Sequence, residues 1–545
     1  MLVTIAWGDT NVTLWNDLAA GWRYARGLAP YMRDTPIPAD PVAAIRAQLA
    51  SRESAFLDTV RGGIFAQADS PYRVLLQYAG ATEQDIAALV RGAGIEATLR
   101  QLYDAGVYVT LDEFKGRVPI TRPGLELPVT SSSFDNPLSK GHLRGVTGGS
   151  RTKGTRVLLS LDDLTGEFAG SLLWLQANRA LGLPQAYWRP AAPSTAALKW
   201  VLIWARLGTS VVRWYTQTHP GPLEPGGLSG LIVHATTWGL TALAGHPAPY
   251  PRYLPTDAAE PMVRWLATET RRGVRIYIDA IVSSAVRLCI VARELGLDIS
   301  GHLFRTVAEP LTPAKAQVLY DAGCDVISAY GLVDAGRIGS SCGTPNALDD
   351  MHLLTTRTGF LQVPKELAGW PQPVGAIHLT TLRPTAPKLL LNVETGDYGV
   401  MSERQCGCTL GEAGLTTHLH TIRNYEKLTS AGMHFMGADL LELLEVVLPQ
   451  RYGGHPTDYQ FVEAEESAQT VLKLVVSPSV GTLDAAEVKG FVLRELERRT
   501  AGGRLMTDIW RDSDTLQIER AQPYTTGSAK IQPLHVMANR MRASS

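Results

Sequence analysis

Apolar positions in the first 140 residues recur at three- and four-residue intervals. IRAQLASRESAFLDTV and TEQDIAALVRGAGIEATLRQLYDAG both show this spacing, which predicts amphipathic helices in a mostly helical lead-in. PITRPGLELP, rich in Pro and Gly, reads as an extended connection. From Val146 to about Gly339 short strand-like runs (RVLLSL, GLIVHA, CDVISAYG) alternate with helical ones, the clearest being IDAIVSSAVRLCIVARELGL. Such alternation predicts an α/β sheet. Between about Gly339 and Leu419 the runs shorten and Pro/Gly turns multiply, so that VGAIHLTTL and KLLLNVETGDYGVM predict a small β-subdomain. After about Tyr425 the order is helix (DLLELLEVVLP), strand (TVLKLVVSP) and charged amphipathic helix (DAAEVKGFVLRELERRT), a compact α+β unit. The predicted class is α/β, with a large N-terminal domain of sheet–helix subdomains over residues 1–424 and a smaller α+β domain over 425–545.

Composition narrows the function. A chain of 545 residues with 45% hydrophobic and 19% charged content is that of an ordinary globular protein. Its net charge of -1 offers no electrostatic case for nucleic acid or an anionic membrane. The longest apolar runs, Leu231–Leu243 and Ala280–Val291, are broken by His234 and Arg287 and fall short of the roughly 20 residues that span a bilayer. No basic start leads into an apolar core at the N-terminus, so the expected compartment is the cytoplasm. Five cysteines, an odd number, argue against a disulfide framework, and Cys289 and Cys324 read as small buried hydrophobes.

The segment VTGGSRTKGTRVLLSLDDL carries the first candidate chemistry. Thr147, Gly148, Gly149, Ser150 and Thr152 are small or hydroxylated, and Lys153 adds a point charge before an apolar strand. Such a loop turns backbone N–H groups and hydroxyls toward an anion, although it is not the P-loop motif. Further segments follow in order: TVAEPLT at 306–312, SAYGLVDAG at 328–336, ETGDYG at 394–399, IRNYEKL at 422–428 and GSAKIQPL at 527–534.

The ordered set, over about residues 140–535, resembles the adenylate-forming superfamily of acyl-CoA ligases, adenylation domains and luciferases. Within it the chain is most similar to the phenylacetate-CoA ligase branch. The resemblance implies that Thr147–Thr155 cradles the ATP phosphates and that Ala308, Glu309 and Pro310 line the adenine. It implies that Tyr330 and Gly331 lie against the base, with Asp334 holding Mg²⁺. Asp397 would accept the ribose hydroxyl protons, and Arg423 would touch the nucleotide near a hinge at about Glu426. Lys530, on a mobile C-terminal domain, would meet the carboxylate and α-phosphate during adenylation. The chain departs from the pattern at Asp334 (usually Glu), Gly154 (usually Pro), Thr152 (usually Gly) and Glu394 (often Arg).

Cys406-Gly407-Cys408 and the Cys342…His352 pair place soft ligands in two loops, enough for a closed Cys₃His zinc set of structural type. The same branch often carries a similar arrangement, which the resemblance extends to Cys342, His352, Cys406 and Cys408. His418 and His420 read as structural. The expected function is ATP- and Mg²⁺-dependent activation of a carboxylic acid as its acyl-adenylate, with transfer to the thiol of coenzyme A. Two alternatives stay open: transfer to a carrier-protein or protein thiol, and a nucleotide-binding protein without catalysis. The acyl pocket is expected beside Ser328-Ala329-Tyr330 and the helix starting near Ile276, with Trp200, Trp204, Trp214 and Trp238 as candidate walls. The acid itself (an aromatic or other compact one is favoured), the acceptor and the oligomeric state stay open.

Overall fold

The lead-in folds as its periodicity predicts. In the computed structural model Asp40 caps the helix Pro41–Ala50 through the Ala43 N–H, and Thr82 with Asp85 forms a capping box on Glu83–Asp104. The structure describes residues 22–139, 143–146, 156–191, 194–209, 211–217, 227–367, 372–425, 429–430, 433–434, 437–466, 469–499, 516–526 and 529–537. Ile86, Val90, Ile95 and Leu99 of the longer helix are buried against the strands that follow. PITRPGLELP closes a short antiparallel hairpin, Ile120–Arg122 with Leu125–Leu127.

Among the described residues twelve strands join one sheet. In chain order they are β1 Gln185–Trp188, β2 Val211–Thr216, β3 Arg252–Tyr253, β4 Tyr277–Ile281, β5 Leu303–Val307 and β6 Asp325–Leu332. Next come β7 Gly336–Ser341, β8 Met351–Leu353, β9 Thr358–Lys365, β10 Val374–Thr381, β11 Val393–Glu403 and β12 Thr417–Asn424. Their spatial order is β9-β10-β11-β12-β8-β7-β6-β5-β4-β1-β2-β3. From β6 to β3 every pairing is parallel; from β6 to β9 every pairing is antiparallel. Strand β6 is therefore where the topology switches, and ligands of open α/β sheets collect at such points.

Two helices, α1 Phe168–Ala177 and α2 Ala196–Arg206, bury Trp174, Trp200 and Trp204 on one face of the parallel half. Helix α4, Val282–Glu294, follows β4 directly and packs on the other face, with Cys289 and Cys324 in that core. A separate core forms around Leu444, Phe461, Leu474 and Val492, over a four-stranded sheet.

Three sequence expectations are corrected. GLIVHA is not a strand but part of α3, Gly227–Leu243, because a short apolar run fits a buried helix as well as a buried strand. IDAIVSSAVRLCIVARELGL is split: Ile278–Ile281 belongs to β4, paired on both sides by β1 and β5, and only Val282 onward is helical. The β-rich stretch after Gly339 is continuous with the main sheet, because the β6–β7 hairpin hydrogen-bonds the two halves together.

Candidate active site

A cavity of about 300 Å³ opens at the switch strand. It gathers Ala308, Glu309, Pro310, Tyr330, Gly331, Asp397, Arg423 and Lys530, residues up to 222 positions apart. Ser328, Ala329, Ile281 and Trp200 also line it. Trp204 and Trp214 are buried in the core and Trp238 is 54% exposed, so of the four tryptophans only Trp200 reaches the cavity.

The Tyr330 hydroxyl donates to Asp397 Oδ2 at 2.7 Å, and Asn424 Nδ2 donates to Asp397 Oδ1 at 2.8 Å. Asp397 and Asn424 face one another across β11 and β12, so register alone brings this pair together. Burial, followed by the neighbouring Asp397 charge, holds the Tyr330 phenol well above its ordinary pKa, and it stays a donor. At Gly331 a Cβ would lie 2.8 Å from the Gly336 carbonyl oxygen, a backbone approach only glycine permits. Arg423 donates to the Ile422 carbonyl and lies 3.8 Å from Asp349.

The Glu309 carboxylate is a junction. It accepts from the Ser283 N–H at 2.7 Å, from the Ser283 hydroxyl at 3.0 Å and from the Ile531 N–H at 2.7 Å. Burial pushes its pKa up, and Lys315 partly offsets this. Through Ile531 it ties down the residue next to Lys530. A second tie is buried: Lys315 pairs with Glu445 at 2.7 Å, and the Thr312 hydroxyl donates to the same carboxylate. Backbone strain sits at both ends of the first tie, since Ala308 (φ +75°) and Ala529 (φ +62°) occupy the left-handed region as non-glycines.

Two groups of expected residues are not among those named above. Thr147, Gly148, Gly149, Ser150, Thr152 and Lys153 lie outside the described residues, as does the hinge position Glu426. Asp334 does not line the cavity: Lys115 Nζ holds its Oδ2 at 2.7 Å, and its buried Oδ1 has no hydrogen-bond partner among the described residues. A divalent cation bound at Asp334 would have to share the carboxylate with that ammonium.

Sequence reading missed the cations Arg189, Lys199, Arg305 and Arg337, all lining the cavity. A signal existed: Asp279 in YIDAI and Arg305 in LFRTV are lone charges inside otherwise apolar-rich, buried strand patterns.

Away from the cavity, Cys342, His352, Cys406 and His418 offer ligand atoms all within 4.8 Å of one another. Cys408 Sγ adjoins them, 3.1 Å from His352 Nε2 and 3.4 Å from Cys406 Sγ. His352 Nδ1 is 2.6 Å from the Leu415 carbonyl oxygen, so it donates there and leaves Nε2 facing the sulfurs. His418 Nδ1 meets Asp350 at 2.8 Å, and its buried Nε2 has no hydrogen-bond partner among the described residues. The expected set is thus assembled, and His418, read from sequence as merely structural, stands within it.

No protein-family profile matches the chain, and no curated protein matches it in sequence. Among solved structures, the chain is similar to 2-hydroxyisobutyryl-CoA ligase in its postadenylation state with 2-HIB-AMP, at a TM-score of 0.50 and 14% identity over 92% of this chain and 91% of that one. ATP-bound MatB from Rhodopseudomonas palustris gives a TM-score of 0.42 and 14% identity over 95% and 91% of the two chains. At such identity the first likeness speaks for architecture. The chain shares the fold of 2-hydroxyisobutyryl-CoA ligase.

Proposed function

We propose that this protein activates a carboxylic acid with ATP as its acyl-adenylate and passes the acyl group to the thiol of coenzyme A. The observation that carries this reading is the meeting of Tyr330, Asp397, Arg423 and Lys530 at one cavity. The fold shared with a CoA ligase crystallised with its acyl-AMP supports it.

In the first half-reaction a carboxylate oxygen attacks the α-phosphorus and pyrophosphate leaves; in the second a thiol attacks the acyl carbon and AMP leaves. A carboxylate attacking a polyanion needs its charge neutralised and its approach fixed, which is electrostatic work. Lys530 supplies a cation at the cavity. Asp397, held between Tyr330 and Asn424, keeps both oxygens oriented to accept from ribose hydroxyls. Glu309 acts as a positioning residue, since its bond to the Ile531 N–H fixes the backbone beside Lys530. Residues 1–424 and 425–545 then work as a large and a small domain. For the small domain to turn and admit a thiol, the Glu309–Ile531 and Glu445–Lys315 ties must open, which makes them the natural gate. Mg²⁺ would accompany ATP. Asp334, already paired with Lys115, is assigned no step through it.

Zn²⁺ fits the second cluster. Cys342, His352, Cys406 and Cys408, with His418 beside them, are soft ligands, and His352 is already oriented from its far nitrogen. Held by these residues, a zinc ion would brace the turns around β8 and β12 and would supply no reacting position.

The test is acid-dependent exchange of pyrophosphate into ATP, followed by trapping of acyl-AMP and its discharge by coenzyme A. Exchange with discharge by coenzyme A supports the proposal. Discharge only by a phosphopantetheinyl carrier protein moves the acceptor to that protein. Nucleotide binding without exchange for any acid overturns catalysis.

A further inference from the structure

Beneath the cavity, on the sheet face covered by α1 and α2, lies a network of buried charge that acid activation does not explain. Asp279 on β4 sits in register with Arg305 on β5, and its carboxylate serves two guanidiniums: Arg189 at 2.7 Å and Arg305 on its other oxygen. Glu167 lies 3.2 Å from Arg337 and 3.8 Å from Lys199, while Asp163 is taken by Arg357 at 2.6 Å. Five cations thus share three carboxylates. Both Arg305 and Arg337 lie over the Trp200 ring, at 4.6 and 5.1 Å from its centroid, so two like charges share one aromatic ring.

An excess of positive charge in a desolvated site is costly unless an anion joins it. The strain shows at Arg337, brought down to about 10 by burial, with Arg305 and Arg357 adding repulsion against the attraction of Glu167. Lys199 is lowered too, first by burial. Arg337 is 3% exposed and lines the cavity, and its Nη1 has no hydrogen-bond partner among the described residues. These cations are not at the nucleotide end. Tyr330 reaches Asp397, whereas Arg337, opposite Gly331 on β7, reaches Glu167 and the tryptophans of α1 and α2. Arg305 lies two residues before Val307, within the strand and short of the Ala308–Pro310 turn.

We infer that the acid activated here carries a second anionic group, distal to the reacting carboxylate, which enters the Arg305–Arg337–Lys199 floor of the cavity. The inference rests on the proposed acid activation and names the substrate class: dicarboxylic acids, or ω-sulfo and ω-phosphono acids of similar length.

The experiment measures pyrophosphate exchange with the full chain. The acids are malonate, succinate, glutarate and adipate, their monoamides, the monocarboxylic acids of equal carbon number, and ω-sulfo and ω-phosphono analogues. One dianion series should exceed its neutral counterparts in kcat/KM by about 10- to 100-fold, the worth of a charge-assisted hydrogen bond. In Arg337→Gln that preference should fall about tenfold or more, and Arg337→Lys should keep part of it. The preference is a ratio within one protein, so a partly unfolded variant does not distort it. Equal use of monoacids and diacids overturns the inference while leaving acid activation standing. So does an Arg337→Gln variant altered in its KM for ATP but not in its preference. If no acid supports exchange, acid activation fails, and thermal shift without ATP decides the anion site by itself. A rise in Tm with a diacid and not with its monoamide supports the site, and no such difference overturns it.

Discussion

The cysteine–histidine cluster and the cavity differ in the kind of groups they bring together. At the cluster, soft ligands converge within 4.8 Å, and both His352 and His418 are anchored through Nδ1, to the Leu415 carbonyl and to Asp350. The cavity gathers hard charge instead: cations outnumber carboxylates, and Ala308 and Ala529 hold strained backbone. Soft ligands converging in this way suit an ion held permanently, whereas excess charge and strained backbone suit a ligand that binds and leaves. In such a molecule stability and activity should be separable by site.

The sharpest way to break the contrast is at the cluster. Cys406→Ser should remove close to one equivalent of zinc, as read by metal analysis, and lower thermal stability by several kcal/mol, because a structural metal site is absent from the unfolded chain. Protein isolated without chelators and free of zinc would end the metal assignment. On the cavity side, Lys530→Ala should slow adenylate formation by roughly 10²–10³, or about 2 to 4 kcal/mol. Thioester formation from supplied acyl-adenylate should be nearly unchanged, and equal loss in both half-reactions would contradict its role.

Glu167 tests whether the buried network is held by charge balance. Burial alone would raise its pKa, but Lys199, Arg337, Arg357 and Arg305 outweigh burial and hold it at about 2, against an ordinary 4.5. A lowered folded-state pKa contributes stability that is complete above pH 4.5 and is lost as pH falls toward 2. Glu167→Gln should therefore cost about 3 kcal/mol at neutral pH, and the difference from the parent should shrink across that window in urea titrations. Glu309→Gln should reduce adenylation about tenfold, or about 1.4 kcal/mol, with thioester formation spared. The mildest change, Ala308→Gly, should stabilise the protein by up to about 1 kcal/mol by relieving a left-handed alanine. A destabilised Ala308→Gly protein would show that the strain is absent.

Part of the site was legible because its residues sit in short local patterns. Tyr330-Gly331, Thr395-Gly396-Asp397 and Ala529-Lys530 each keep their neighbours, so their convergence at the cavity could be anticipated from order along the chain. The two thiols of Cys406-Gly407-Cys408 were legible for the same reason. The Asp334–Lys115 pair was not legible, because the two residues are 219 positions apart and no pattern around Asp334 announces an ammonium. GLIVHA was misread because so short an apolar run does not let periodicity separate helix from strand.

The sequence by itself determined the α/β alternation, the helical lead-in and the local motifs, since propensity, periodicity and turn chemistry act over a few residues. Only the tertiary structure decided that both halves share one sheet, that His418 stands beside the thiols and that the cavity floor is cationic. Those outcomes depend on strand register and on long-range charge pairing. Arg305 meets Asp279 because β4 and β5 are in register, and Arg337 reaches Trp200 because β7 folds back on β6. Electrostatic energy in a desolvated interior depends on distances between residues far apart along the chain, and these exist only once the sheet has closed.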